Sequence, residues 1–316
     1  MIQYIAYLDK KEQEMTPAAM IEKAEKAILD IAEAVGRDPG GRGLLSGAIE
    51  TPAGQLAISL SKVRRAVLLS GFPVRLPDGN FTGETDGPSG TANIARALEE
   101  SGSGVTVLTD RTCLPQLAAA LEARGCDSPV LAAPENGQQE FFEKLFADFR
   151  PTHLITLERP GKARDGSFRN MRGIVIDDMI TDTDSVIPAA RRHAAEIISV
   201  GDGGNELGMG ALRPLIEERV PHGELICADE AADIALVSGV SNWWGWGIAA
   251  VLSVLHGKDL LPSPETERKM LQAVIASGGA DGCTAKAEET VDDLPMEVHL
   301  AVLNEVRKIV NNTVKN

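Results

Sequence analysis

Ala66-Val67-Leu68-Leu69-Ser70-Gly71 is the stretch on which the reading of this chain turns. Consecutive aliphatic residues with no polar alternation suit a strand buried on both faces, and the glycine opens it into a loop. Runs of the same kind recur at 105–108, 130–131, 153–157, 173–176, 197–200 and 234–237. Helical stretches lie between most of them, at 88–101, 114–124, 138–149, 184–194 and 211–219. Strands alternating with helices at this spacing predict right-handed β-α-β units around a parallel sheet. The fold class is therefore α/β, a doubly wound, mostly parallel sheet flanked by helices. A closed α/β barrel is the alternative, because the number of strand-like runs is near the eight it needs.

Outside this alternation the chain reads as helix. Thr16 caps and Pro17 starts a helix that runs to Val35, with Met20, Ile21, Ala24, Ile28, Ile31 and Ala32 on one apolar face. The segment Asp38-Pro39-Gly40-Gly41-Arg42-Gly43 breaks it, and Thr51-Pro52 opens a second helix reaching 65. Three more helices are predicted at 243–256, 264–276 and 295–314. There is no internal repeat and no linker rich in Pro, Gly and Ser. One domain over 1–316 is expected, with a helical extension at 1–65, the sheet core at 66–240 and C-terminal helices at 241–316. The terminal helices offer a cap or a homodimer surface.

The balance of 31 Lys and Arg against 46 Asp and Glu gives a formal net charge of -15, which repels nucleic acid and anionic membrane surfaces. Neither is an expected partner. The four cysteines form no C-x-x-C pair, so neither a zinc cluster nor a disulfide framework is expected, and each reads as a small packed residue. Residues 1–11 lack the basic segment and apolar run of a signal peptide, and no stretch has transmembrane length. A cytoplasmic protein is the expectation. The five histidines stand at strand starts, in helices or near element ends, away from the loops that carry chemistry.

In a parallel sheet, ligands collect beyond the carboxyl ends of the strands. Four loops there are unusual. Gly83-Glu84-Thr85-Asp86-Gly87-Pro88-Ser89-Gly90 places two carboxylates before a helix start, as a cap or as a site. Glu158-Arg159-Pro160-Gly161 and Asn170-Met171-Arg172-Gly173 carry arginines suited to a carboxylate or phosphate, or to ion pairs with Glu158, Asp177 or Asp178. Gly201-Asp202-Gly203-Gly204-Asn205-Glu206-Leu207-Gly208-Met209-Gly210 has five glycines in ten residues. Its backbone can approach a ligand closely, and Asp202, Asn205 and Glu206 add oxygen donors. It is neither a Walker A loop nor a dinucleotide fingerprint, so no nucleotide or organic cofactor is expected. Ser238-Gly239-Val240-Ser241-Asn242-Trp243 caps the next helix, where a ligand can share the helix start.

These motifs, in this order, resemble the D-glutamate cyclase-like family over the chain from Ala66 to the C-terminal helices. The resemblance implies a lyase that interconverts D-glutamate and 5-oxo-D-proline with loss or gain of water, acting on a small anionic substrate. The family's characterised member is mitochondrial and carries an additional N-terminal domain, which this chain is expected to lack.

The chemistry assigns the roles. Cyclisation needs a base for the ammonium group, an acid for the departing hydroxide, and positive or N–H partners for the tetrahedral oxyanion. Glu84, Asp86, Asp202 and Glu206 are the candidate acid–base residues. Arg159 and Arg172, the backbone of Gly203 and Gly204, and Asn205, Ser241 and Asn242 are the candidate substrate-binding residues. Crowded carboxylates repel one another unless a cation intervenes, so Asp202, Glu206 and Glu84 are expected to hold a magnesium or manganese ion. Two other functions fit the same loops: a non-catalytic module that binds an amino acid or phosphorylated metabolite, and a metal-dependent phosphoryl-transfer enzyme. The missing Walker lysine weighs against the second.

Overall fold

The structure is a computed structural model and describes residues 16–315. The expectations for residues 1–11 lie outside them. Two helices come first, α1 (Pro17–Val35) and α2 (Ala53–Ser61). The alternating core follows: β1 (Arg65–Ser70), β2 (Pro73–Arg75), β3 (Phe81–Gly83), α3 (Pro88–Glu100), β4 (Gly104–Thr109), α4 (Leu114–Arg124) and β5 (Val130–Ala132). It continues with α5 (Gln138–Phe149), β6 (His153–Leu157), α6 (Val186–Arg192), β7 (Glu196–Gly201), α7 (Arg213–Arg219), α8 (Gly223–Ile226) and β8 (Ile234–Val237). The C-terminal part comprises α9 (Ser241–His256), α10 (Pro264–Ala276), the two-residue strands β9 (Thr290–Val291) and β10 (Leu294–Pro295), and α11 (Met296–Val314).

Six strands form one sheet in the order β5-β4-β1-β6-β7-β8, with every neighbouring pair parallel. Chain order runs outward from β1 in one direction, then returns to β6 and runs outward in the other. The sheet is open and doubly wound, and the barrel alternative falls. Side chains alternate across it as a pleated strand requires: Ala66 and Leu68 join the larger core with α1, α3 and α9, whereas Val67 and Leu69 join α5 and α6 on the opposite face. α9 is the central helix of the larger layer, buried from Ser241 to Val254. The Thr16 hydroxyl accepts from Ala19 N at 3.2 Å, the predicted cap of α1.

The run at 173–176 is not a strand. Ile174 and Val175 are exposed, and only an isolated bridge from Val175 to Arg169 gives it extended pairing. Four apolar or small residues satisfy the strand pattern, but the segment belongs to a long excursion between β6 and α6. Asp177 and Asp178, which a strand here would place near its carboxyl end, sit in an exposed turn. Asp177 accepts from Phe168 N at 2.7 Å, and Asp178 pairs with Arg75 at 2.5 Å.

Asp184, at the end of this excursion, is half-buried, with its Oδ1 closed off from solvent, and its Oδ2 accepts from Lys162 N at 2.8 Å. Burial lifts its carboxyl from the usual 3.8 to about 7. Its folded value is raised, so its stabilising contribution is complete below pH ~4 and is lost as pH rises toward 7. Asp184→Asn keeps an acceptor oxygen without the charge. The variant should match the wild type near pH 4 and gain on it by up to about 4 kcal/mol at pH 8, since each tenfold difference in proton affinity between the folded and unfolded states is worth ~1.4 kcal/mol. Thermal melts across that range check the difference, and parallel curves would refute it.

Candidate functional site

In a sheet of this order the strand direction of travel reverses between β1 and β6, and a crevice opens beyond their carboxyl ends. Four chain segments meet there: the loop from β3 into α3, the end of β6, the end of β7 and the start of α9. Their carboxylates converge. Oxygens of Asp86, Glu158 and Asp202 all lie within 4.8 Å of one another, and the three residues are buried.

Each is held differently. Asp86 caps α9: its Oδ1 accepts from Asn242 N at 2.9 Å and its Oδ2 from Ser241 N at 3.0 Å. Asp202 Oδ2 accepts from the same Ser241 N at 3.2 Å. Glu158 follows β6 with φ at 47°, the left-handed region that non-glycine residues adopt at a cost and that is common at functional sites. Gly87 makes room beside it: a Cβ there would meet Ser70 Oγ at 2.9 Å and Glu158 Cβ at 3.1 Å. At that glycine φ is 98°, which its missing side chain permits.

Arg42 brings a positive charge to this cluster. Its guanidinium stands 2.9 Å from Asp202 Oδ1, off the hydrogen-bonding direction, and it also grips Asp292. Asp292 and Asp293 both have positive φ, 57° and 60°, as the two-residue turn between β9 and β10 requires, and this turn aims Asp292 at Arg42. Asp281, fully buried, stitches the covering segment together by accepting from the backbone N–H of Cys283, Thr284 and Asp293. Thr85 N in turn donates to Ala280 O at 3.0 Å, so the segment closes over Glu84.

The electrostatics follow from burial and crowding. Burial, then the charge of Asp292, pushes Glu84 well above the usual carboxylate range. Glu158 rises for the same first reason, reinforced by Asp202, Asp86, Glu206 and Glu84. Asp86 is lifted to about 7 by burial and then by Asp292, its caps to α9 opposing the rise. Asp202 is also held high by burial, although Arg42 pulls it down. Arg42 itself is driven well above its ordinary value by Asp202, Asp292 and Glu158, which outweigh its desolvation.

Glu158 opens from the cluster onto a cavity of about 250 Å³, whose walls also include Arg42, Glu84, Arg172 and Asp292. That volume is small beside the 300–1,000 Å³ typical of drug-sized ligands and suits a compact metabolite. Arg172 stands exposed at the rim, where its Nη2 donates to the carbonyl of Cys283 at 3.4 Å. Cys283 also borders the cavity and is exposed, unlike the packed thiol expected there.

Several expected roles change. Arg159 is fully buried and each of its three donor nitrogens is engaged: Nη1 with Asp110 at 2.7 Å and Gly71 O at 3.1 Å, Nε with Thr183, Nη2 with Thr181 O. It props the loop after β6 and binds no substrate carboxylate. Its acidic partner is Asp110, at the end of β4, and not Glu158 or the Asp177–Asp178 pair. Glu206 turns back into its own loop, accepting from the N–H of Asp202 at 3.0 Å, Gly203 at 2.8 Å and Gly204 at 2.7 Å. The amides of Gly203 and Gly204 are therefore occupied and cannot serve a substrate oxygen, and Glu206 is a loop staple outside the carboxylate triad. Asn242 is also structural, accepting from Gly87 N at 3.1 Å and Gly90 N at 2.7 Å. Asn205 borders the cavity while donating to Arg169 O at 2.8 Å. Ser241 lies between Asp86 and Asp202 with its hydroxyl unpartnered. Of the expected acid–base residues, Asp86 and Asp202 stand in the cluster with Glu158, and Glu84 lies beside it, close enough to raise the Glu158 carboxyl.

The sequence model of the family described as D-glutamate cyclase-like, C-terminal, matches residues 31–307. The chain belongs to the D-glutamate cyclase-like family. The match begins upstream of the Arg42 loop and so includes every residue of the cluster. Human mitochondrial D-glutamate cyclase is 27% identical over 325 residues, an alignment covering 92% of this chain and 52% of the human protein. This chain spans about half the length of that curated relative. A crystal structure of an exopolyphosphatase-related protein from Bacteroides fragilis aligns over 82% of this chain and 58% of that one, with a TM-score of 0.40 and 11% identity. Among the described residues no helix is long and apolar enough to cross a membrane.

Proposed function

We propose that this chain is a hydro-lyase that interconverts D-glutamate and 5-oxo-D-proline. The observation that carries the reading is the wall of the cavity, where the Glu84 carboxyl group and the Arg42 guanidinium border one space of metabolite size and Arg172 stands at its rim. Family membership and the named relative supply the reaction.

In the forward direction the substrate nitrogen attacks the γ-carboxyl carbon. A C–N bond forms, a C–O bond breaks, and two protons of the ammonium group leave with the departing oxygen as water. No net proton is gained or lost, so one carboxyl group placed near both atoms suffices as a relay. Glu84 takes that role by position. Arg42 stabilises the negative charge gathering on the γ-oxygen, in a setting where burial strengthens the interaction. Arg172 receives the α-carboxylate at the rim. The cavity holds amine and carboxyl in the folded-back conformer that cyclises.

The test incubates the full chain with D-glutamate and separately with 5-oxo-D-proline, with and without divalent cations, beside a working family member. Turnover in either direction is expected. Glu84→Gln should then lower kcat by about 10²–10⁴-fold, the usual contribution of a positioned proton carrier. Arg172→Ala should raise KM with a smaller effect on kcat. No turnover under any condition would defeat the reading, and D-glutamate that raises Tm but is recovered unchanged would mark a sensor instead.

A further inference from the structure

We infer that Asp86, Glu158 and Asp202 form a binding site for one hard divalent cation, buried behind the cavity wall that Glu158 lines. The inference goes beyond the reaction assigned above and does not rest on it.

Three observations converge on the same point. The first is the geometry of the three carboxylates, whose oxygens approach within 4.8 Å although they come from three separate chain segments. A cation that binds oxygen at ~2.1–2.4 Å places its ligands ~3–4.8 Å apart, so the span needs little or no rearrangement. The second observation is independent of the clustering. Glu158 Oε2 is buried and accepts from no N–H or hydroxyl donor, in a residue only 5% exposed whose side-chain neighbour is the Glu84 carboxyl group. Two fully buried hydroxyls are in the same condition: Ser241 Oγ, on the residue whose N–H bridges Asp86 and Asp202, and Ser70 Oγ, which shares the space above Gly87 with Glu158. Buried polar atoms are nearly always satisfied, and those that are not point to an absent ion or water.

The third observation is charge. Glu84 and Asp292, which line the cavity with Glu158, add two carboxyl groups to the triad, and the guanidinium of Arg42 is divided between Asp202 and Asp292. One guanidinium does not neutralise five carboxyl groups. Glu158 has no arginine or lysine within ion-pair distance among the described residues, so a cation would supply what the triad lacks.

The donor set selects the ion. All three ligands are carboxylates, no cysteine or histidine takes part, and hydroxyls and water can complete the shell, which favours magnesium, manganese or calcium over zinc or copper. Such an ion would lie beside Glu158, the one member of the triad that reaches the cavity wall, where a substrate carboxylate could meet it.

The experiment uses the full chain after treatment with chelator and no substrate at any stage. Isothermal titration with magnesium, manganese and calcium, each run separately, is expected to show one site, with a matching rise in Tm. Manganese also allows a direct count, because bound ion loses the sharp paramagnetic resonance of free ion. Asp202→Asn and Glu158→Gln keep the shape of the side chains and should weaken binding by about 100-fold or more, since even supporting residues around a metal are worth 10–100-fold. Asp178→Asn, on an exposed carboxylate outside the cluster, should leave it unchanged. If none of the three ions binds to the folded wild-type chain, or if both cluster variants, verified as folded, bind as tightly as the wild type, the site does not exist. Because no turnover is measured, an inactive protein that binds the ion and an active one that does not are told apart.

Discussion

Replacing Arg42 with alanine is expected to destabilise the chelator-treated protein by about 3–5 kcal/mol at pH 8, the usual cost of removing one partner from a buried ion pair. The side chain of Arg42 is 17% exposed, but its partners are closed off, with the side chains of Asp202 and Asp292 at 0% and 5%. Without the guanidinium, Asp202 loses the charge that opposes its desolvation. Its folded value then climbs further, so the folded state of the variant binds a proton that the unfolded state releases. Stability lost in this way grows with pH. The deficit should therefore be smaller at pH 5 than at pH 8, and adding Asp202→Asn to Arg42→Ala should recover part of it. Urea melts of the four proteins of this double-mutant cycle, at both pH values, measure it. A deficit below ~1 kcal/mol at pH 8 would mean that solvent reaches the pair and screens it.

Arg42 also shows where the sequence stops being legible. The inner strands of the sheet are set by local apolar runs, plain in the sequence because burial on both faces leaves few polar residues to disguise the pattern. The loops after β6 and β7 stand out for the same kind of local reason, their glycines and carboxylates being adjacent in the chain. The partners of those carboxylates are not adjacent. Arg42 sits between glycines in a connection that reads as a chain break, 160 residues before Asp202. Asp292 lies in the turn of a hairpin whose strands have two residues each, too short to show any period. Only the fold brings them together. The local signal at Arg42 is modest: an arginine among three glycines has no nearby carboxylate to serve except Asp38, and Asp38 is occupied by the N–H groups of Arg42 and Gly43 at 3.0 Å each.

Arg159 and Glu206 fail in the complementary way. Both have the right chemistry at the right end of the sheet, yet one faces Asp110 and the other its own backbone. Residue type and loop position establish that a polar group is near the crevice, whereas its direction depends on which unsatisfied donors the fold places around it. Three free N–H groups in the glycine loop had to find an acceptor, and the Glu206 carboxylate accepts from all three.

Gly245→Ala should be among the most damaging single changes at a distance from the cavity. α9 crosses α3 at two glycines, and a Cβ on Gly245 would stand 2.3 Å from Gly90 Cα and 2.6 Å from Gly90 O. These are backbone atoms, so no side-chain rotation relieves the clash and the helices must separate. Overpacking typically costs ~1–3 kcal/mol, and a backbone-to-backbone collision belongs at or above the upper end. The separation would reach the site directly. Asn242, one turn before Gly245, holds the start of α3 through the N–H groups of Gly87 and Gly90, and Asp86 holds the start of α9 through Ser241 and Asn242. Moving one helix start against the other draws Asp86 away from Glu158 and Asp202. Gly245→Ala should therefore lower Tm by several degrees and weaken any ligand or cation bound at the triad, both effects coming from one displacement. Gly40→Ala is the comparison: a Cβ there finds only Arg42 side-chain atoms at 3.9 Å and beyond, and the change should stay within ~0.5 kcal/mol. Differential scanning calorimetry of both variants decides it. Equal Tm values would mean that the two helices are free to slide apart and that Asp86 does not depend on their crossing.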